Sequence, residues 1–384
     1  MVTYPSDWKE DKVSNVVDIS TGSRDTQDNK ANGRYPFFVR SPIVERIDFA
    51  DYDCEAVLTA GDGNAGKVFH YYIGKFAAHQ RVYVMNNFRN VDGKYFYYFF
   101  SKNFIKEVEK YTAKSTVDSV RRAMIADMEF THPQLPEQHE IVCALKTFDT
   151  YIDNLAELIE KKRNIRNGAL EDLMTGRTRI NGFSGNWSEK ELYELALILN
   201  GDRGVNYPNE DSFMPYGVPF INAGHLESGR INWKKMNYIS EERYRVLGGG
   251  KIQKGDILFC LRGSLGKYAL VDFSGGAPAS SLCIIRAKEN VSATFLSYVM
   301  AASMMKNSIE MTNTGSSQPN LSAKDISHYI FAVPDDINEQ AAIAEMLSSF
   351  DEEIEALEIE RDKIIQIREG AMDDLLTGRI RLNV

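Results

Sequence analysis

The sequence predicts an α+β protein: two β-rich globular domains separated by two long helices that pack as an antiparallel coiled coil, in a pseudo-two-fold arrangement. Three observations predict it. A stretch of some 45 residues from Pro136 recurs without a gap from Asn338, about 202 residues later, with about 19 identities. Both copies carry the 3-4 apolar spacing of a helical seam. The segments between them share a weaker frame of short aromatic and β-branched runs with glycine turns. The chain then reads as domain 1–133, helix 134–180, domain 181–333 and helix 334–384.

The first domain opens at Trp8 with "WKEDKVSNVVDISTG", continues through "NGRYPFFVRS" at Asn32, and reaches a strand-like run entering a glycine-rich turn, "CEAVLTAGDGNAGKV", at Cys54. The second opens at Trp187 with "WSEKELYELALILNG", then "YGVPFINAGH" at Tyr216 and "GDILFCLRGSLGKYA" at Gly255. Trp and Gly fall at the same spacing in both openings. A later polar loop, "GSSQPNLSAKDI" at Gly315, has a faint counterpart in "KSTVDSVRRAMI" at Lys114.

In the first helix Ile141, Leu145, Phe148, Ile152, Leu155 and Ile159 form the seam. In the second Ile343, Leu347, Phe350, Ile354 and Leu357 keep the register, and Ile364 resumes it. Pro136 and Pro334 are expected just ahead of the helices, where a missing N–H costs least. Gly176 and Gly378 are expected at the stop, where φ turns positive. Arg177 and Arg379 then face the negative end of the helix dipole. A break is expected near Gly168 or Gly370. Some 35 helical residues span about 50 Å. The competing expectation is two separate amphipathic helices, each packed on its own domain.

Composition excludes several classes. With 384 residues, 43% hydrophobic and 26% charged, the chain has ample core for two or three domains. No apolar run is long enough for a bilayer. The N-terminus lacks a signal-peptide pattern, so a cytoplasmic location is expected. Cys54, Cys143, Cys260 and Cys283 form no C-x-x-C pair, and the six histidines show no ligand spacing, so reduced cysteines and no structural metal are expected. The net charge of −9 is confined: residues 1–132 carry 18 basic and 18 acidic groups, 187–332 carry 15 and 14, and 333–384 carry 5 and 14. The two large segments are near neutral and each has room for a local basic face.

Gly61-Asp-Gly-Asn-Ala-Gly66-Lys67-Val68 satisfies G-x-G-x-x-G and narrowly misses the P-loop pattern. Both motifs need a following helix, whereas "KVFHYYIGKF" is strand-like, and Val68 has no hydroxyl for magnesium. A hairpin turn is expected instead, presenting Lys67, and Lys267 in the matching turn, to a phosphate or to solvent. "VNYPN" at Val205 resembles the amino-methyltransferase motif but lacks its second proline. No acidic cluster resembles a nuclease metal site. The chain is read as non-catalytic. Arg40, Arg81, Arg121, Arg122, Arg262, Asn222, His225, Gln318 and Asn320 sit in or beside expected loops; with Lys67 and Lys267 they are the candidate DNA contacts, since Arg and Lys suit guanine edges and phosphates, and Asn and Gln suit adenine edges.

The helix pattern "EQ…I…L…FD…I…L" ending in "L(M/L)TGR", once central and once terminal, together with "GDILFCLRGSLGK…GSSQPNLSAKDI…VPDD…EQ", resembles the specificity subunits of type I restriction–modification systems. The resemblance spans nearly the whole chain. It implies two target recognition domains, each reading one half of a split double-stranded DNA site, with the paired helices fixing the unread gap. It implies docking of two modification (methyltransferase) subunits, which would carry S-adenosylmethionine, and of restriction (motor-nuclease) subunits using ATP and magnesium. No cofactor is expected in this chain, and no membrane partner. Two rival readings are a self-contained adenine methyltransferase or nuclease, and a coiled-coil scaffold blind to DNA.

Overall fold

The structure is a computed structural model that describes residues 3–112, 119–312 and 320–382. The chain forms two compact units. The first comprises Met1–Ala156 with Ile359–Val384, and the second Glu157–Glu358. Each unit thus takes one globule and one half of each long helix, which a division into four consecutive segments does not express.

In the first unit β1 (Lys9–Lys12) pairs antiparallel with β8 (Glu129–His132). A six-stranded sheet runs in the order β2 (Asp18–Thr21), β7 (Val82–Asn86), β5 (Tyr52–Ala60), β6 (Phe69–Ala78), β3 (Tyr35–Phe38) and β4 (Glu45–Ile47). All pairs are antiparallel except β3 with β6. The long β5–β6 hairpin is joined by the glycine turn at 61–67, with Gly63 and Gly66 at φ 67° and 69°, so strand rather than helix follows the glycines. A helix, Gly93–Thr112, turns Tyr95, Phe96, Phe99, Phe100 and Phe104 into the core with Val57, Met85 and Phe130.

The second unit repeats the plan. β9 (Trp187–Glu191) pairs with β19 (Ile330–Pro334). A four-stranded sheet has the order β10 (Ala196–Asn200), β18 (Leu282–Ala287), β15 (Ile257–Cys260) and β16 (Tyr268–Leu270). A three-stranded sheet holds β14 (Asn237–Ile239), β11 (Val218–Ile221) and β17 (Ala277–Pro278), and a small hairpin joins β12 (Leu226–Glu227) to β13 (Arg230–Ile231). The parallel β11–β17 pair corresponds to β3–β6. The Trp–Gly frame has a steric cause at its glycine end. A Cβ on Gly22 would lie 2.1 Å from the Ala78 carbonyl oxygen, and one on Gly201 would lie 2.3 Å from that of Ala279.

The long helices are continuous: a central one, Leu135–Met174, and a terminal one, Ile337–Thr377. The expected break at Gly168 or Gly370 is absent, because helix-interior glycine costs only about 1 kcal/mol against alanine. Pro136 lies inside the first turn rather than ahead of it, where its missing N–H is still harmless. Pro334 closes β19 three residues before the terminal helix starts. The stops are as expected: Gly176 and Gly378 have φ 67° and 69°. Gly176 N donates to Leu173 O and Gly378 N to Leu375 O, each at 3.3 Å, the five-to-two bond of a Schellman cap, and beyond it Thr178 N and Ile380 N reach back to Asp172 O and Asp374 O. Arg177 and Arg379 pair with Asp172 and Asp374 in the last turns.

Within each unit the two helix halves run antiparallel. In the first, Arg368 Nε meets Asp149 at 2.6 Å and the Tyr151 hydroxyl meets Glu360 at 2.6 Å. In the second, Arg166 meets Asp351 and Lys162 meets Glu353, and Arg163 pairs with Glu358. Leu155 and Ile159 are buried, while Phe148, Ile152, Phe350, Ile354 and Leu357 are half-buried. The outer seam residues do something else as well. Ile141 and Leu145 belong to the first globule's core along with Met372, Leu375 and Leu376. Ile343 and Leu347 belong to the second's along with Leu170, Leu173 and Met174. The helix halves therefore pair as expected, and toward their ends the same helices also complete the globule cores.

Candidate nucleic-acid interface

A repeated anchor fixes each globule to the helix pair, and it explains the residues that recur in sequence. Gln138 accepts Asp92 N at 2.9 Å and donates to Pro133 O at 2.8 Å; Gln340 accepts Ser292 N at 3.0 Å and donates to Pro334 O at 2.9 Å. The preceding glutamates are buried, Glu339 to 0% exposure. Arg179 grips Glu339 through two nitrogens at 2.6 and 2.8 Å, and Arg381 grips Glu137 at 2.5 and 2.7 Å. Each guanidinium also lies over a tryptophan, Trp187 at 5.5 Å and Trp8 at 5.8 Å. These arginines, two residues after the "TGR" stops, were not singled out in sequence. Their recurrence in both copies was the available signal.

With the frame anchored, each glycine turn is tied to the segment that follows the polar loop of its unit. In the first unit Gly61 O accepts Val120 N at 2.6 Å; in the second Leu261 O accepts Leu321 N at 2.9 Å. The described residues after the two polar loops, from Ser119 and Asn320 on, therefore hold matching places. Short helices Arg122–Ala126 and Ala323–Ser327 follow them in both units. Gln318 lies outside the described residues.

Around the first turn the structure gathers several candidates. Arg40 Nη1 and Arg81 Nη1 donate to the two carboxylate oxygens of Asp62, at 2.8 and 2.9 Å. Burial alone would push the Asp62 carboxyl up, but the hydrogen bonds and charges of Arg40 and Arg81 outweigh it and hold it below the ordinary carboxylate value. Lys67 is exposed in the same turn, and Arg121 and Arg122 are exposed just beyond Val120.

Around the second turn Arg262 and Lys267 are exposed, and Arg262 forms a backbone bridge with Asn320, also exposed. Arg203, which sequence reasoning missed, joins them: its Nη2 donates to Ser280 O at 3.3 Å, and Leu261 N donates to Ser281 O at 2.8 Å. Asp202 holds that loop by accepting Gly204 N and Gly248 N at 2.6 and 2.7 Å. The matching Arg24 is instead locked onto Asp51 and lies 4.1 Å above the Phe49 ring.

Two candidates have other employment. His225 is 5% exposed; its Nδ1 accepts Asn222 N at 3.1 Å and its Nε2 meets Lys235 O at 2.9 Å. The Asn222 side chain caps the same turn by accepting Gly224 N at 2.8 Å. These two side chains build a loop, which corrects the expectation that they reach outward. The motif-like Tyr207 packs on Phe220 in the same spirit. Among the described residues there is no group of side chains able to hold a metal ion, and no helix long and apolar enough to cross a membrane. All four cysteines are free, with Cys260 and Cys283 buried, Cys54 half-buried and Cys143 exposed.

A duplicated α+β frame with divergent exposed cations at matched turns defines a protein of the DNA-recognition class. Residues 5–162 and 184–367 each match the type I restriction modification DNA specificity domain, and the chain belongs to that family, whose members are non-catalytic and supply sequence recognition to a restriction–modification complex. It is 22% identical over 410 residues to the type I restriction enzyme MjaVIII specificity subunit of Methanocaldococcus jannaschii, covering 98% of this chain and 94% of the relative. It is 30% identical over 157 residues to the EcoDI specificity subunit of Escherichia coli, covering 41% of this chain and 34% of the relative. The fold is similar to the S subunit of a type I restriction–modification system from M. genitalium, with a TM-score of 0.65, 18% identity and 96% of each chain covered. It is also similar to a chain from a structural study of complex assembly and conformational transition in the type I system, with a TM-score of 0.61 and 13% identity, covering 98% of this chain and 100% of the other. Neither rival reading, self-contained enzyme or DNA-blind scaffold, is supported. Specificity subunits assemble with DNA and with the other subunits of the complex.

Proposed function

We propose that each globule reads one half of a bipartite, asymmetric DNA site through the loops around its glycine turn, and that the paired long helices fix the unread gap. The observation that carries this reading is the pairing of sameness and difference. The anchors recur at the same contacts in both units, while the exposed residues at the turns diverge, from Arg40, Asp62 and Arg81 in one to Arg203, Arg262 and Asn320 in the other. A common frame fits two copies of one partner, and divergent tips fit two different half-sites. Two modification subunits would dock, one per repeat, and bring S-adenosylmethionine. Restriction subunits would bring ATP and magnesium, and the complex would act on DNA in the cytoplasm. Arg40, Lys67, Arg81, Arg121 and Arg122 in the first unit, and Arg203, Arg262, Lys267 and Asn320 in the second, are the residues offered to DNA.

Sequencing the methylation marks left on genomic DNA by this chain with its modification subunits tests the proposal. Two short half-sites at a constant gap are expected. Marks on a continuous motif, or on no motif, would overturn it.

A further inference from the structure

The sharpest difference between the two units sits at one matched position. The residue after β5 and Gly61 is Asp62; its counterpart after β15 and Leu261 is Arg262. Asp62 is not a solvated turn residue. Its side chain is 15% exposed, whereas the two arginines it holds, Arg40 and Arg81, are 43% and 62% exposed. One carboxylate oxygen serves each arginine. Backbone bonds tie the three loops together as well: Gly61 N donates to Arg81 O at 2.7 Å, and the Asn64 side-chain amide to Arg40 O at 2.9 Å. Each guanidinium has five N–H donors and gives Asp62 one nitrogen, so most of each fork is left for another acceptor. Two guanidinium groups this close repel one another in water-exposed surroundings unless an anion lies between them.

We propose that Asp62 is the positioning residue for half-site reading by the first unit: it holds Arg40 and Arg81 as a preset pair of donors, and the arginines make the DNA contact. Among the described residues the second unit shows no such clamp, because Arg262 occupies the carboxylate's place. A preset pair loses less side-chain freedom on binding than two free arginines, so the clamp sharpens discrimination rather than merely trimming charge. The proposal rests on the reading that these turns face DNA.

The test uses the assembled methyltransferase complex and DNA duplexes carrying single base changes in either half-site, with cognate and altered duplexes competing in one reaction. Wild type must first show two half-sites; if it does not, the DNA-reading assignment falls whatever Asp62 does. Arg262→Gln marks the half-site read by the second unit. Asp62→Asn is expected to lower discrimination in the other half-site by about tenfold, the scale of one well-formed arginine–base contact, and to leave the Arg262 half-site unchanged. Arg40→Gln and Arg81→Gln are expected to reduce discrimination strongly in the wild-type background and only slightly in the Asp62→Asn background, since the pair is already undone. The ratio is read within one preparation, so loss of folded protein does not enter it. If Asp62→Asn fails to assemble, Asp62→Glu, which keeps the charge but moves it by one methylene, takes its place with the same expected loss. Unchanged discrimination in both half-sites overturns the proposal. So does tighter binding to every duplex with ratios unchanged, which is what a carboxylate that only neutralises the arginines would give, or simple additivity of Asp62→Asn with Arg40→Gln.

Discussion

Arg166 holds Asp351 through two guanidinium nitrogens, at 2.9 and 3.3 Å. The same acid accepts the Tyr298 hydroxyl at 2.8 Å. The first unit repeats the arrangement with Arg368, Asp149 and Tyr98. Each triad joins both helix halves to the globule of its unit. Asp351→Ala removes the carboxylate that Arg166 and Tyr298 share, leaving Tyr298 only the Ser348 hydroxyl at 3.1 Å, and is expected to cost about 2 kcal/mol. Glu157→Ala, which removes the exposed pair with Lys161, is expected to leave stability almost unchanged. Urea unfolding of the two variants measures the contrast.

The two helix stops share a backbone shape but not a neighbourhood. A Cβ on Gly176 would rest 3.6 Å from the Trp187 ring, while one on Gly378 would lie 2.5 Å from Pro5 Cγ. Gly176→Ala therefore bears only the positive-φ penalty, about 1–2 kcal/mol. Gly378→Ala bears that and a clash with a rigid ring, so its melting temperature is expected to fall further.

Burial pushes the His70 imidazole below its ordinary 6.5, against the opposing pull of the Ser41 carbonyl. Unfolded, the ring takes a proton near that pH; folded, it does so only at lower pH. The stability due to neutral His70 is thus complete above pH 6.5 and is lost as pH falls toward the folded value. His70→Gln is expected to flatten the acid side of the stability profile, seen in melts from pH 7.5 to 5. An unchanged slope would assign the acid loss to other groups.

Leu145 and Leu347 are completely buried, each in the core of its own unit. Either one changed to alanine is expected to cost about 2–5 kcal/mol. Phe148→Asp with Phe350→Asp, at half-buried seam positions, is expected to weaken the helix pairing by several kcal/mol and to lower recovery of the complex in size-exclusion chromatography.

Removing one matched heptad from the middle of each long helix shortens the pair by about 10 Å. The methylated motif is then expected to keep both half-sites and lose about three base pairs of gap. A motif with an unaltered gap would show that the helices do not set it.

The architecture was legible because the chain states it twice. Seam spacing, helix stops and the Trp–Gly frame each appear in both halves, and each has a physical cause in the fold, from the Schellman caps at Gly176 and Gly378 to the close approach at Gly22 and Gly201. The interface was less legible, because residue type reports what a side chain can bond and not what it already bonds. His225 and Asn222 look like readers in sequence but hold their own loop together. Asp62 looks like an ordinary turn acid but joins two arginines from distant loops. Arg203 recurs as Arg24, two residues past the glycine of the Trp–Gly frame, but residue type does not show that one is exposed and the other locked onto Asp51.

The first globule's core is completed by Met372, Leu375 and Leu376, and its anchor by Arg381, while the second unit is one unbroken stretch from Glu157 to Glu358. During synthesis the ribosome therefore finishes the later-encoded globule first. The one that emerged earlier stays open until the segment from Met372 to Arg381 has been made. Losing that segment would injure a globule encoded more than two hundred residues upstream.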